Sequence, residues 1–324
     1  MEIIFLGTSA GTPTKTRNVS ATAIRHTNAK SWCLVDCGEG TQHQILHTDL
    51  SLAQLKVIFI THVHGDHCYG LPGLLASASL TGRKNPLIVV APYAVQEMFE
   101  CVQRNSDLTL SYDICFLKPQ DLTDNAELGG FTIETVELSH RVQCFAYIFT
   151  EKTPYARLNR EKLAKDCIPA GPSWGKLERG EDVALECGRI AKAKEYLLPA
   201  ARARKIIIAG DNDTPELLRK SCKHADVLVH EATYTQEVSD KVGALPQHCS
   251  AKKLAIFAES VMLPNLVLNH FSARYQEHGE HTFDDLKNEA LAEYRGNLLL
   301  AKDFSNFRLN VGGLLNLNEN TKKS

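Results

Sequence analysis

Short apolar runs alternate along the chain with amphipathic segments and polar loops, and no segment is repeated. Runs rich in β-branched residues predict strands at residues 2–6, 19–24, 32–35, 57–61, 87–91, 132–137, 144–149, 205–209, 227–230, 265–268 and 308–311. Apolar positions at helical spacing predict helices at residues 40–47, 93–105, 215–222, 251–260 and 282–294. Closely spaced strands come first and a helix-rich alternation follows, which favours an α/β sandwich of mixed sheets over a doubly wound fold.

One stretch, residues 151–198, departs from this alternation because it contains few strand-like runs. Over residues 151–205 there are 13 Lys and Arg against 8 Asp and Glu, a local balance of +5. The stretch fits either a solvated connecting excursion or a protruding arm that touches a polyanion. At the other end of the chain, the polar residues 312–324 predict a frayed tail.

The composition of the 324 residues, 44% apolar and 23% charged, is typical of a globular protein and excludes disordered and fibrous classes. A formal net charge of −2 means that a nucleic-acid substrate would need a local basic surface. No run approaches the roughly 18 apolar residues of a membrane helix, and the first residues resemble a strand rather than a signal peptide. Ten cysteines without a CxxC pair predict reduced thiols. We therefore expect a cytoplasmic protein that acts away from membranes and needs no organic cofactor.

The strongest chemical signal follows the predicted strand 57–61. His62, His64, Asp66 and His67 offer four potential ligands within six residues. On an extended chain, positions 62 and 64 point to the same face, and Gly65 lets the chain turn so that the next two ligands point elsewhere. Two adjacent ions fit this spacing better than one. Imidazole and carboxylate without thiolate suit Zn²⁺, with Mn²⁺, Co²⁺ or Fe²⁺ as substitutes.

Three more potential ligands also follow apolar strands, namely His140, Asp211 and His270. Taken alone, each one fits a hydrogen-bonded polar group of a loop better than a metal ligand. Together they indicate one site, because strand ends on one sheet edge converge in space. Asp213 is an alternative carboxylate, but we favour Asp211 because it directly follows a strand and a glycine.

These residues resemble the metallo-β-lactamase superfamily, whose signature loop matches residues 61–67. Residues 34–40, 210–211 and 269–272 are similar to its remaining motifs. Three further segments narrow the resemblance to the ribonuclease Z family, in its short bacterial form also called RNase BN: residues 5–18, 171–180 and 229–233. The resemblance implies an αββα sandwich of two mixed β-sheets flanked by helices. It also implies a single domain over residues 1–311, into which a tRNA-binding arm (exosite) at about 151–198 is inserted.

The resemblance further implies two Zn²⁺ per subunit. One ion would be held by His62, His64 and His140, and the other by Asp66, His67 and His270. Asp211 would bridge the two ions, and Asp36 would support the metal loop from behind.

The activity implied is a zinc-dependent endoribonuclease that removes the 3′ trailer from precursor tRNA. Cleavage would leave a 3′ hydroxyl on the tRNA and a 5′ phosphate on the trailer, and the sequence leaves open an accompanying phosphodiesterase or exonuclease activity. Asp66 would take a proton from the attacking water, while His248, oriented by Glu231, would protonate the leaving ribose oxygen. From the residues alone, His248 and Glu231 fit a polar cluster that caps a helix equally well.

Substrate residues are also implied by the resemblance. Lys15 and Arg17 match a loop that meets the RNA 3′ end, and Arg274 fits either a phosphate contact or a surface ion pair. Within the arm, the matching residues are Gly171, Pro172 and Lys176. The family forms homodimers in which the arm of one subunit serves the active site of the other, so we expect a homodimer that binds precursor tRNA.

Two other functions remain open. Another hydrolase of this fold, such as a small-substrate phosphodiesterase or a glyoxalase II-like thioesterase, would use the same metal centre. A catalytically inactive tRNA-binding module would keep the arm without the chemistry.

Overall fold

The computed structural model describes residues 1–123, 125–152, 158–185, 188–198 and 202–318. The chain divides into two units. The first comprises Met1–Thr150 with Lys205–Ser324, and the second is Glu151–Arg204. The stretch predicted as an arm, residues 151–198, therefore belongs to the second unit.

The strands, in chain order, are β1 (Glu2–Gly7), β2 (Ser9–Ala10), β3 (Ala21–Arg25), β4 (Trp32–Val35), β5 (Leu55–Phe59), β6 (Leu87–Val90), β7 (Ile114–Leu117), β8 (Ala126–Leu128), β9 (Phe131–Leu138), β10 (Cys144–Glu151), β11 (Val183–Ala184), β12 (Ile190–Ala191), β13 (Lys205–Ala209), β14 (Val227–Glu231), β15 (Asn265–Asn269), β16 (Phe271–Ser272), β17 (Asn297–Leu300), β18 (Asn306–Leu309) and β19 (Leu315–Leu317). The α-helices are α1 (Thr41–Ile45), α2 (Gly65–Cys68), α3 (Leu71–Leu80), α4 (Tyr93–Asn105), α5 (Arg160–Lys165), α6 (Pro172–Glu178), α7 (Ala193–Tyr196), α8 (Arg219–Cys222), α9 (Gln236–Val242), α10 (Ala251–Ser260) and α11 (Phe283–Glu293). Short 3₁₀ helices occupy Leu52–Gln54, Pro119–Asp121 and Pro215–Leu218.

Two large mixed sheets form the first unit. One has eight strands in the order β19-β18-β1-β3-β4-β5-β6-β7, and the other has seven in the order β17-β15-β14-β13-β10-β9-β8. In the first sheet β4, β5, β6 and β7 run parallel. In the second sheet β13, β14, β15 and β17 run parallel. Parallel strands that are buried on both faces are continuously apolar, as in the Leu-Val-Leu run inside β15.

The core of the first unit has three layers. The middle layer joins the inner faces of the two sheets, where Phe5 and Phe59 of one sheet share a cluster with Tyr147 of the other. The Tyr147 hydroxyl donates a hydrogen bond to the carbonyl of Ile60, 2.7 Å away, and so ties the sheets together. Helices α3 and α4 cover the outer face of the first sheet, and α10 and α11 cover that of the second. The predicted αββα sandwich is confirmed.

The second unit has a small core of its own, built around Leu163, Leu177 and Tyr196. Its helix α5 is capped by Asn159, whose side chain accepts a hydrogen bond from the Lys162 backbone amide. A two-stranded sheet of β11 and β12 completes the described part of this unit.

The tail predicted to fray from residue 312 is ordered over part of its length. Strand β19 pairs antiparallel with β18, with Leu315 opposite Leu309. Leu315 is buried, which explains why residues 315–317 form a strand. The polar residues around Leu315 gave no sign of this strand in the sequence. Residues 319–324 of the predicted tail lie outside the described residues.

Among the described residues, no helix combines the length and the apolar character that crossing a membrane requires.

Candidate metal centre

The predicted ligands lie at one edge of the sandwich, where strands of both sheets end. The first sheet supplies the loop after β5 and the short helix α2, and the second supplies the ends of β9, β13 and β15. The residues carried there are His62, His64, Asp66, His67, His140, Asp211 and His270. All seven predicted ligands therefore share one site.

Three histidines and one carboxylate oxygen form the first group. The Nδ1 atom of His64 lies 3.1 Å from Nε2 of His62 and 3.1 Å from Nε2 of His140. The Oδ2 atom of Asp211 lies 3.7 Å from the same Nε2 atoms of His62 and His140. Four donor atoms thus converge on one point.

The second group forms on the other side of Asp211. Nε2 of His67 lies 3.1 Å from Nε2 of His270. Oδ2 of Asp66 is 3.3 Å from the His270 atom and 3.5 Å from the His67 atom. Oδ1 of Asp211 lies 3.4 Å from both imidazole atoms. The two oxygens of Asp211 therefore face two separate groups.

These distances suit divalent metal binding. Ligand atoms about 2.0–2.1 Å from a tetrahedral ion lie about 3.3 Å from one another, close to the spacing of both groups. Imidazole nitrogens and carboxylate oxygens are also the donor types that zinc and similar ions accept. The residues present therefore fit a pair of adjacent divalent ions.

Buried hydrogen bonds orient the ligand rings. Asp36 accepts a hydrogen bond from Nδ1 of His67 at 2.8 Å, and it also accepts the backbone amide of Thr61 at 2.8 Å. Nδ1 of His140 donates to the carbonyl of Gln247 at 3.2 Å. The bonds made by His67 and His140 each fix the tautomer that leaves Nε2 of the ring free to bind a metal ion. The supporting role expected of Asp36 agrees with this geometry.

Close backbone approach brings the two sheets' loops together at the site. Gly210 immediately precedes Asp211, and a Cβ atom placed there would lie 2.6 Å from both Sγ of Cys144 and Cβ of Thr61. Asp36 and His270 both adopt left-handed backbone conformations, with φ of 61° and 56°. A left-handed conformation costs about 1–2 kcal/mol in a residue with a side chain, so the surrounding packing holds these two residues in place.

Burial and neighbouring charges set the protonation of the cluster. Burial and the charge of nearby histidines lower the pKa of His62, while burial and the neighbouring His140 lower that of His64. These rings are therefore neutral, the form that binds metal ions. Burial alone would raise the pKa of Asp66, but the charges of His67 and His270 hold it well below its usual range. Asp66 is therefore an ionised carboxylate.

His248 and Glu231 form a second polar pair beside the cluster. Nδ1 of His248 donates to Oε2 of Glu231 at 2.9 Å, and it lies 3.7 Å from Oδ2 of Asp211. Burial lowers the pKa of His248, but the Glu231 carboxylate outweighs burial and raises it to about 9. Glu231 is buried and also accepts the backbone amide of Asn212 at 2.6 Å. His248 also lines a cavity of about 370 Å³, together with Asp213 and Gln247.

The residues predicted to contact RNA are in different settings. Lys15 and Arg274 are exposed, and Arg274 lies over the ring of Tyr234. Gly171, Pro172 and Lys176 are exposed at the beginning and within helix α6 of the second unit.

Arg17 is the exception among them, because only 7% of it is exposed. Its guanidinium donates to the Thr8 hydroxyl at 2.6 Å and to the Ala301 carbonyl at 2.8 Å. The prediction that Arg17 contacts RNA does not fit this inward position, since the side chain is buried and one of its guanidinium nitrogens already donates twice inside the fold.

Sequence reasoning missed two contributors to the site. The backbone amide of Gly11 donates to Oδ2 of Asp66 at 2.7 Å, and no side-chain pattern signals a backbone donor. The Thr233 hydroxyl donates to Glu231 and lies 3.2 Å from Nδ1 of His270. It therefore connects the carboxylate that binds His248 with one of the predicted ligands. Asp213, the alternative to Asp211, belongs to neither ligand group among the described residues.

A curated relative and a solved structure that match nearly the whole chain are both ribonucleases by name. The chain is 51% identical over 314 residues to a ribonuclease Z of Marinobacter nauticus, covering 95% of this chain and 96% of the relative. It is similar to the crystal structure of human tRNase Z, short form, with a TM-score of 0.65, 26% identity and coverage of 96% of this chain and 100% of that chain.

Two further matches concern the fold and part of the chain. The metallo-beta-lactamase fold protein YhfI of Bacillus subtilis matches with a TM-score of 0.65 at 17% identity, over 94% of this chain and 98% of that chain. Residues 1–157 match the family model described as anti-Pycsar protein Apyc1, which is less than half of the chain.

Proposed function

The chain belongs to the ribonuclease Z family, and we propose on this premise that its ligand cluster cleaves the 3′ trailer from precursor tRNA. The protein is a hydrolase of the endoribonuclease class, acting in tRNA 3′-end processing. One observation carries the proposal to this chain: the two oxygens of Asp211 face separate ligand groups, 3.7 Å and 3.4 Å from their nearest histidine nitrogens. A cluster divided in this way suits two-metal hydrolysis of a phosphodiester.

Two Zn²⁺ are the proposed cofactors, with Mn²⁺, Co²⁺ or Fe²⁺ as substitutes. His62, His64 and His140 would hold one ion with Oδ2 of Asp211, and Asp66, His67 and His270 would hold the other with Oδ1. When bound, such a pair of ions activates water for attack and neutralises the charge that develops on phosphate.

Asp66 is the proposed acceptor of the attacking water's proton. Its Oδ2 atom faces the second group and accepts the Gly11 amide. The carboxylate is therefore held in one orientation, and proton transfer needs a base at a fixed distance.

His248 is the proposed acid that protonates the leaving ribose oxygen. With Nδ1 bound to Glu231, its Nε2 is the nitrogen left to face substrate. A pKa raised to about 9 keeps the imidazole protonated at neutral pH, as an acid requires. Glu231 orients the ring and stabilises its positive charge.

Substrate choice is proposed to come from exposed groups outside the cluster. Lys15 and Arg274 would meet the RNA near its 3′ end, and Gly171, Pro172 and Lys176 would bind it through the second unit. The local balance of +5 over residues 151–205 supports contact with a phosphate backbone. The homodimer, in which the second unit serves the partner's active site, is proposed from the family resemblance, and the cytoplasmic location stays a prediction.

Mapping the ends of the products tests the function. We expect the zinc-loaded protein to cut a precursor tRNA once, just after the discriminator nucleotide, leaving a 3′ hydroxyl on the tRNA and a 5′ phosphate on the trailer. Cleavage of only a small phosphodiester or a thioester would instead assign another hydrolase of this fold. Binding of the tRNA without any cleavage would assign an inactive binding module.

A further inference from the structure

The loop that connects β2 with β3, residues 11–20, contacts the cluster at its first residue. The Gly11 amide donates to Oδ2 of Asp66 at 2.7 Å, the same oxygen that lies 3.3 Å from Nε2 of His270. Gly11 has a φ of 69°, a left-handed conformation that glycine adopts without strain. The orientation of Asp66 therefore depends on where this loop lies.

Backbone pairing holds the loop's entry. Strand β2 pairs in parallel with β16, so that Ser9 lies opposite Phe271, the residue after His270. The Phe271 amide also donates to the Thr8 carbonyl at 2.9 Å. The chain that leads to Gly11 is thus attached directly to a predicted ligand segment.

Arg17 holds the loop's exit from inside the protein. One of its guanidinium nitrogens donates both to the Thr8 hydroxyl and to the Ala301 carbonyl, at 2.6 Å and 2.8 Å. The guanidinium carbon also lies 4.0 Å from the ring centre of Phe283 and 5.0 Å from that of Phe271. A cation stacked on two aromatic rings and hydrogen-bonded to the backbone occupies a single position.

Asp303 connects the two ends of the loop. Its Oδ1 accepts the Thr8 hydroxyl at 2.6 Å, and its Oδ2 accepts the Asn18 amide at 2.6 Å. Thr8 therefore accepts from Arg17 and donates to Asp303, which makes one continuous chain of hydrogen bonds. Removing any member would release the loop at its base.

We propose that Arg17 and Asp303 are positioning residues for the reaction, which act through Thr8 and the Gly11 amide to fix the Asp66 carboxylate. The proposal rests on the proposed function of the cluster. Under this proposal Arg17 acts inside the fold and does not contact RNA. An RNA contact would make Arg17 matter for substrate affinity, whereas a positioning role makes it matter for turnover and for the metal site.

Four variants separate these roles: Arg17→Met, Arg17→Lys, Asp303→Asn and, as a control, Thr16→Ala, an exposed neighbour on the same loop. The readouts are kcat and KM for precursor tRNA and for bis(p-nitrophenyl) phosphate, and the visible spectrum of the Co²⁺-loaded protein, which reports ligand geometry. For Arg17→Met and Asp303→Asn we expect kcat to fall about tenfold or more on both substrates, with KM for tRNA within about twofold of wild type. The Co²⁺ spectrum should change in both variants, Arg17→Lys should recover part of the loss, and Thr16→Ala should match wild type.

The contrary pattern would overturn the proposal: wild-type kcat and Co²⁺ spectrum in Arg17→Met, with only the KM for precursor tRNA raised. If Arg17→Met does not fold by near-ultraviolet circular dichroism, Asp303→Asn, which keeps the side-chain volume, decides the matter by the same criteria. A wild-type protein that leaves precursor tRNA uncut would overturn the proposed function instead, and the Co²⁺ spectra with the small phosphodiester would still decide the role of Arg17.

Discussion

The ligand cluster of the first unit is buried and held by many hydrogen bonds, whereas many charged side chains of the second unit lie in solvent. The side chains of His62 and Asp211 are 0% and 4% exposed. In the second unit, the ion pair of Arg179 and Glu181 spans 2.8 Å, but its side chains are 58% and 52% exposed. Such a surface pair contributes little to stability and is easily rearranged.

This difference follows from what each region is proposed to do. Hydrolysis needs groups held within a fraction of an ångström, and burial with many hydrogen bonds provides that order. Binding a phosphate backbone needs positive charge and reach more than exact position. Chemistry and substrate choice should therefore be separable by mutation.

The largest effect is expected from replacing Asp211, the proposed bridging carboxylate. We expect Asp211→Asn to abolish cleavage of both precursor tRNA and bis(p-nitrophenyl) phosphate, because an amide cannot supply two anionic oxygens to two ions. Metal content, measured by mass spectrometry, should fall with activity. Asp213→Asn, two residues away, is the matched control and should keep both. Equal losses in the two variants would show that local charge rather than the bridging position matters.

Removing His248, the proposed acid, should affect cleavage of the two substrates to different extents. We expect His248→Ala to lower kcat for precursor tRNA by about 10²–10⁴, since the leaving ribose oxygen needs a proton. Bis(p-nitrophenyl) phosphate releases a stable phenolate and should lose much less. Comparison of kcat for the two substrates checks this. An equal loss on both would mean that His248 supports the metal site rather than the leaving group.

Replacing the second unit tests its proposed role in binding precursor tRNA. Thr150 and Lys205 lie opposite each other on the antiparallel strands β10 and β13, so a short turn can replace residues 152–203. We expect kcat/KM for precursor tRNA to fall about a hundredfold, because phosphate contacts supply most of the affinity for RNA. Turnover of the small phosphodiester should persist. Loss of both activities in a variant with an unchanged melting profile would contradict a separate substrate-binding role.

The smallest effect is expected on the exposed part of the 11–20 loop. Lys15→Ala should raise KM for precursor tRNA a few-fold and reduce the slope of log affinity against log salt concentration by about 1, as the loss of one phosphate contact does. Binding measured at several salt concentrations checks the slope. An unchanged slope would remove Lys15 from the proposed RNA surface.

The sequence predicted the cluster well because its signals are local. Four ligands occur within six residues, and His140, Asp211 and His270 each follow an apolar strand. His140, Asp211 and His270 follow strands of one sheet, as that reasoning requires, and the loop after β5 joins them from the other sheet.

The setting of Arg17 could not be predicted in this way. Its partners Phe283 and Ala301 are far away in sequence, and a charged residue in a polar loop gives no local sign of burial. Only the folded chain reveals that Arg17 points inward while its neighbour Lys15 points outward.

Some elements of the fold were missed for related reasons. Helix α3 was not among the predicted helices, and Pro72 lies in its first turn, where the missing amide proton costs nothing. Strand β7 is the edge of its sheet and is only partly buried, so its pattern is weak.

The position of β1 has a consequence for biosynthesis. This strand lies between β3 and β18, with Glu2 opposite both Arg25 and Arg308. While the ribosome is still adding the last strands, β1 lacks one of its two neighbours. Contacts that span almost the whole polypeptide also slow folding. A nascent chain therefore cannot complete this sheet early, and we expect nuclease activity to appear only after translation of the final strands.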